Sequence, residues 1–173
     1  MAFTEADLRG LPCFIQLSPD AQNYLLDALA APSRNVGLSG YSSVGGAFPS
    51  RKMGWSVPFE SRSGELSLAI HLEFNPDVIA YLDQPPKVDV LRTNAAGKTY
   101  RTTYTPDFLV IYRDEIVAVQ VKSAAQIERL LEACTTDWRQ VDEEVRDLAA
   151  DLAYESFQLQ HTVISSADLN RVR

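Results

Sequence analysis

The stretch from Thr105 to Ala125, TPDFLVIYRDEIVAVQVKSAA, leaves this chain little choice but a β-hairpin. Phe108 to Tyr112 and Ile116 to Val121 are dense in β-branched, aliphatic and aromatic residues, and the polar triplet Arg113-Asp114-Glu115 divides them, as expected for two antiparallel strands. A turn centred near Asp114 with an even number of loop residues puts Asp107 opposite Gln120 on one side of the sheet. Lys122 lies two residues further along and points the same way.

Asp107, Gln120 and Lys122 therefore converge at one mouth of an apolar hairpin. A carboxylate and an amide oxygen are hard ligands suited to Mg²⁺, which takes few protein ligands and keeps several waters. A lysine ammonium beside them can steady the charge that builds on a phosphate under attack, or help to deprotonate the attacking water. Half-solvated strand ends produce the same short pattern by accident, so a further residue is needed to give it weight.

Upstream, SRSGELSLAIHLEFNPDVIAYLDQPP predicts a helix capped by Ser63 and stopped before Pro76. On a helical wheel Leu66, Leu68, Ala69, Ile70 and Leu72 form one apolar arc opposite Ser67 and His71. Glu65 and Glu73 both fall inside that arc. A carboxylate on a buried helix face is costly unless it meets a cation or is well hydrogen-bonded, so each is a candidate site residue. The wheel does not choose between them.

A Glu on a helix, a Pro-Asp at a strand start and a strand ending in x-Val-Lys resemble the PD-(D/E)XK nuclease superfamily. More narrowly they resemble TnsA, the endonuclease subunit of heteromeric transposases, whose third motif is Gln-x-Lys, here Gln120-Val121-Lys122. That family carries its catalytic Glu eight residues before a second Glu that precedes an aromatic, which corresponds to Glu65 and to Glu73-Phe74 in this chain. The resemblance therefore selects Glu65. It spans residues 33 to 135 and includes Gln84-Pro85 and the small-residue helix start Ser123-Ala124-Ala125.

The resemblance implies an α/β fold with a restriction-endonuclease-like core, a mixed β-sheet flanked by helices. It also implies a Mg²⁺-dependent endonuclease, with Mn²⁺ able to substitute, that nicks double-stranded DNA at a transposon end. Asp107 would be the central metal ligand, joined by Gln120 and the Val121 carbonyl. Glu65 would bind the metal directly or through water, and Lys122 would activate or stabilise. Its implied partners are a DDE-type transposase and an ATPase regulator. Many members carry a C-terminal partner-binding domain for which this chain has no room. Two alternatives keep the fold: an autonomous nuclease of a defence or repair system, and a catalytically lost module that only binds DNA or protein.

The rest of the chain sets bounds on these readings. With 173 residues and 46% hydrophobic composition it can bury a core of ordinary size. No long apolar run and no signal-peptide pattern appear, so a soluble cytoplasmic protein without membrane contact is expected. Cys13 and Cys134 lack metal-like spacing and read as reduced, packed side chains, and the isolated His71 and His161 argue against a zinc site. Between Glu128 and Glu155 nine acids face three arginines, a net of −6, which leaves −1 for the rest of a chain whose total is −7. The acidity is thus local and does not exclude DNA.

Residues 1–32 form an N-terminal helical segment with one clear helix, capped by Ser18, opened by Pro19 and stopped by Pro32. Residues 33–173 would be the nuclease domain. Ser33 to Pro58 holds five glycines, Arg34, Arg51 and Lys52, and no acid, a loop with short strands able to track a phosphate backbone. A second hairpin from Pro86 to Tyr104 turns at Asn94 to Gly97 and carries Lys98 and Arg101, further DNA-contact candidates. Apolar residues at Ile127, Leu131, Cys134, Trp138, Val141, Val145, Leu148 and Leu152 predict one long helix, or two joined near Thr135-Thr136. A strand from Phe157 to Ile164 and a last turn capped by Ser165 or Ser166 close the chain.

Overall fold

The computed structural model describes residues 2–30, 45–133 and 136–169. Three helices open the chain, α1 (Glu5–Arg9), α2 (Pro12–Ile15) and α3 (Pro19–Ala30), followed by strands β1 (Gly46–Pro49) and β2 (Ser56–Phe59). A π-helical turn, Arg62–Leu66, runs into α4 (Ser67–Phe74). Then come β3 (Ala80–Asp83), β4 (Val88–Thr93), β5 (Thr99–Tyr104), β6 (Phe108–Ile111) and β7 (Ile116–Lys122). The remainder is α5 (Ala124–Glu132), β8 (Trp138–Val141), β9 (Glu144–Asp147), α6 (Leu148–Ser156), β10 (Gln160–Ser165) and α7 (Ser166–Leu169).

The central sheet has the order β10-β7-β6-β3, with β10 parallel to β7 and the other pairs antiparallel. The β6–β7 register pairs Phe108 with Val119 and Ile111 with Ile116, as the hairpin expectation requires. All four β6 residues are buried, which marks a sheet covered on both faces. Each such side chain contributes roughly 1.5–3 kcal/mol by leaving water. Tyr81 on β3 meets Phe108 edge to face at 5.9 Å. The β4–β5 hairpin also forms as expected, with the Asn94 side chain accepting the Ala96 and Lys98 amides and Gly97 at φ +76°.

The N-terminal segment holds more than the one helix its sequence advertised. Thr4 and Asp7 form a reciprocal capping box that starts α1, and Pro12 opens α2. Leu8, Phe14, Tyr24 and Leu25 join the same core as the sheet, and the Tyr24 hydroxyl donates to the Pro86 carbonyl at 3.1 Å. Arg34 and Cys134 lie outside the described residues. Cys13 is buried and unpaired by disulfide.

The stretch expected to form one long helix, or two joined near Thr135-Thr136, instead holds two helices, α5 and α6, with a hairpin between them. β8 and β9 pair from Trp138–Asp147 to Val141–Glu144, with Asp142 in the left-handed region at φ 53°. Asp147 accounts for the break, since its side chain caps a new helix by accepting the Ala150 amide, so α6 begins there. Arg92 from β4 holds that carboxylate through two hydrogen bonds of 2.8 Å, a long-range contact that helical periodicity cannot reveal.

The glutamate helix starts two residues earlier than expected. Ser61, not Ser63, is the cap and accepts the Gly64 amide at 3.1 Å. The wide π turn shifts the wheel's phase, and Ile70 falls outside the buried stripe of Leu68, Ala69 and Leu72. Among the described residues no helix is long and apolar enough to cross a membrane.

Candidate active site

Pro106 is buried at the head of β6 and delivers Asp107 to the sheet already extended. The Asp107 amide donates to the Val119 carbonyl at 3.0 Å, and its carbonyl accepts the Gln84 amide at 2.9 Å, so its backbone is tied to both neighbours. Across the hairpin mouth, Asp107 Oδ2 accepts the Val121 amide at 2.7 Å and the Gln120 side-chain nitrogen at 2.6 Å. Gln120 is buried and Lys122 half-buried at the end of β7. The Lys122 side chain makes no hydrogen bond among the described residues, and its ammonium acts on Asp107 through its charge.

Glu65 arrives from the π turn. Gly64 lets that turn lie on β7, because a Cβ there would stand 3.2 Å from Ser61 Oγ and 3.4 Å from Val121 Cγ1. The Glu60 amide donates to Glu65 Oε2 at 2.8 Å. The result is a cleft of about 200 Å³ lined by Ser61, Gly64, Glu65, Asp107, Gln120 and Lys122.

The cleft is electrostatically loaded. Burial pushes the Glu65 carboxyl up to about 7, and the nearby charges of Asp107, Glu60 and Asp83 add to the shift. Burial likewise raises Asp107, opposed by the Val121 amide and the Lys122 ammonium. Asp83, opposite Phe108 in the β3–β6 pairing, is raised by burial too. Asp83 and Glu60 were not singled out from the sequence, and only the β3 register and the turn before Ser61 bring them near.

Asp107 Oδ1 and Glu65 Oε1 have no hydrogen-bond partner among the described residues. Two partly desolvated carboxylates with unengaged oxygens beside an amide and a backbone carbonyl suit a hard divalent cation. Among the described residues no group of three or more His, Cys, Asp or Glu has the geometry of a metal centre. The set at hand has two carboxylates and the Val121 carbonyl, while the Gln120 amide turns its nitrogen toward Asp107 and its oxygen toward Tyr104.

The other sequence candidates separate cleanly. Glu73 is turned away from the cleft and accepts from Ser50 Oγ at 2.6 Å, the Tyr81 hydroxyl at 2.7 Å and the Arg51 and Lys52 amides. Lys52, expected to reach DNA, donates instead to the carbonyls of Leu72, Asn75 and Val78 and so closes the C-terminus of α4. Arg51, Lys98 and Arg101 are exposed, and Arg101 makes a loose 3.8 Å contact with Asp89.

The sequence model of the TnsA-like endonuclease N-terminal family matches residues 75–163, half of the chain. The chain belongs to that family. The matched span carries Asp107, Gln120, Val121 and Lys122, while Glu65 precedes it. No curated protein matches the chain. As a TnsA-like nuclease it has the architecture its superfamily calls for, a mixed sheet flanked by helices with a restriction-endonuclease-like core.

Proposed function

We propose that this TnsA-like nuclease is a divalent-metal-dependent endonuclease that nicks double-stranded DNA at a transposon end, beside a partner transposase of the DDE type and under an ATPase regulator. The observation that carries the metal-dependent reading is the pairing of unengaged oxygens on Asp107 and Glu65 in one cleft bordered by Lys122. Asp107, the Gln120 amide oxygen and the Val121 carbonyl would hold Mg²⁺ or Mn²⁺, with Glu65 binding directly or through water. A bound cation supplies charge neutralisation and a more acidic water.

The chain's own residues do the rest. Asp107 is fixed by its hydrogen bond from the Val121 amide, so little reorganisation is needed when a phosphate enters. Lys122 carries a free ammonium at the cleft, suited to the growing negative charge of a phosphate under attack. Exposed Arg51, Lys98 and Arg101 supply phosphate contacts.

The test is nicking of supercoiled plasmid by the purified chain in Mn²⁺, with Lys122→Ala beside it. Loss of nicking in the variant supports the site. Vigorous cleavage by wild type without a transposase would favour an autonomous nuclease. Equal cleavage by both would sink the assignment.

A further inference from the structure

Behind the cleft, a line of buried polar groups runs away from Asp107 through Gln120, Tyr104 and His161 to Asp151. Gln120 Nε2 lies 2.6 Å from Asp107 Oδ2 and 3.2 Å from the Val121 carbonyl oxygen. On its other side Gln120 Oε1 lies 3.2 Å from the Tyr104 hydroxyl, which lies 2.9 Å from His161 Nε2. His161 Nδ1 lies 2.7 Å from Asp151 Oδ1, and the His161 side chain is wholly buried. The ring stacks on Tyr154, so its position is fixed by packing as well.

The polarity of this line can be worked out from its far end. The Asp151 carboxylate only accepts, and Arg146 holds its other oxygen at 2.9 Å, so His161 Nδ1 donates. In a neutral imidazole that makes Nε2 an acceptor. The single proton of Tyr104 then goes to His161, the nearer of its two neighbours. The Tyr104 oxygen is left as an acceptor, and the group able to satisfy it is the Gln120 NH₂. The oxygen and nitrogen of an amide occupy nearly the same shape, so a turn of the amide exchanges them in place. Once turned, the amide oxygen stands where the nitrogen stood, against Asp107 Oδ2 and the Val121 carbonyl. Three oxygens then face one another, an arrangement that a hard cation relieves.

We propose that the Asp151–His161–Tyr104 line is a positioning device that holds the Gln120 nitrogen on the Tyr104 hydroxyl and presents the Gln120 oxygen to the cation. Tyr104 and His161 act here through Gln120 as positioning residues. The inference rests on the metal-dependent reading above and extends it to residues no motif contains. Without a cation the amide closes on Asp107 through its nitrogen, as in the structure, at the expense of two acceptors competing for the Tyr104 proton.

The experiment is Mn²⁺ titration by calorimetry on wild type, Tyr104→Phe, Gln120→Glu and the double variant, each first checked for a cooperative thermal melt. Glu at this position offers oxygen from either face and needs no orienting. Tyr104→Phe should weaken Mn²⁺ binding about tenfold or more when Gln120 is present, as for other groups that orient a ligand. In the Gln120→Glu background it should change binding less than about twofold. An equal loss in both backgrounds would make Tyr104 a packing residue and overturn the proposal, as would no loss in the Gln120 background. His161→Phe gives a second route that retains the hydroxyl but removes its acceptor, and it should show the same background dependence. If wild type binds no Mn²⁺, the cation reading fails and takes this proposal with it. Normal wild-type binding without the background dependence defeats this proposal alone.

Discussion

The Val121 amide donates to Asp107 Oδ2 at 2.7 Å across the mouth of the β6–β7 hairpin. One bond thus does two things: it locks the Asp107 carboxylate in a single orientation and leaves Oδ1 unengaged. The register of the strands dictates it, because Phe108 pairs with Val119 and the next positions outward are Asp107 and Gln120. A carboxylate fixed in this way loses little side-chain entropy when a cation binds.

Asp107→Asn keeps the shape and an acceptor for the Val121 amide while removing the charge. Mn²⁺ affinity should fall more than about a hundredfold, beyond the 10–100-fold typical of groups that only support a ligand. Thermal stability should change little or rise, because a buried charge has gone. Calorimetry and a thermal melt on the same sample check both halves. Retained Mn²⁺ binding would remove Asp107 from the site.

Glu65 gives a prediction in pH. Burial raises its folded value to about 7 from an ordinary 4.5, so between those values the folded chain holds a proton that the unfolded chain lacks. Stability therefore declines as pH rises from about 4.5 to about 7 and stays reduced above that. Glu65→Gln removes the penalty and should be the more stable protein at pH 8 by about 1–2 kcal/mol, after discounting for solvent screening at this half-exposed site. The two should converge at pH 4, as read from urea unfolding curves. Equal stability at pH 8 would mean that Glu65 is better solvated than its surroundings suggest.

The hairpin and the meeting of Asp107 with Gln120 were legible because both depend on period-two alternation and a local turn. The choice between Glu65 and Glu73 was not legible from the wheel. It depends on a π turn at Arg62–Leu66, and on Ser50 and Tyr81 arriving from elsewhere to satisfy Glu73. The β8–β9 hairpin was missed for a similar reason. Trp138, Val141 and Val145 keep helical spacing, and what breaks the helix is the partner that Asp147 finds in Arg92. Long-range polar pairs leave no periodic trace, which is also why His161 read as an isolated histidine.

Glu73 should behave as the opposite of Glu65. Burial alone would push its carboxyl up, but hydrogen bonds from Ser50, Tyr81 and the Arg51 and Lys52 amides outweigh it and hold the group below its ordinary value. Its contribution is present above the ordinary carboxylate range and is lost as pH falls through the lower folded value. Glu73→Ala should cost about 2–3 kcal/mol at pH 7, less in acid, and leave Mn²⁺ affinity within about twofold. Urea unfolding with a parallel Mn²⁺ titration measures both. A large loss of Mn²⁺ binding in a folded variant would return Glu73 to the site.

The clip between the two outer hairpins makes the strongest stability prediction. Asp147 is fully buried and Arg92 is 17% exposed, and the guanidinium meets both carboxylate oxygens at 2.8 Å. Arg92 also stands 3.9 Å from Asp137, whose carboxylate accepts the Thr93 amide at 3.0 Å. Removing the cation by Arg92→Met leaves two acids together, one with no access to water. The expected cost is about 3–5 kcal/mol, a fall of about 10 °C in thermal midpoint. Asp147→Asn in the same chain should recover part of that loss, since an amide caps α6 nearly as well and carries no charge. If the double variant is no more stable than Arg92→Met, the loss comes from packing of the Arg92 stem, which lies 5.8 Å from the Tyr104 ring centre at its guanidinium end, and not from a stranded charge.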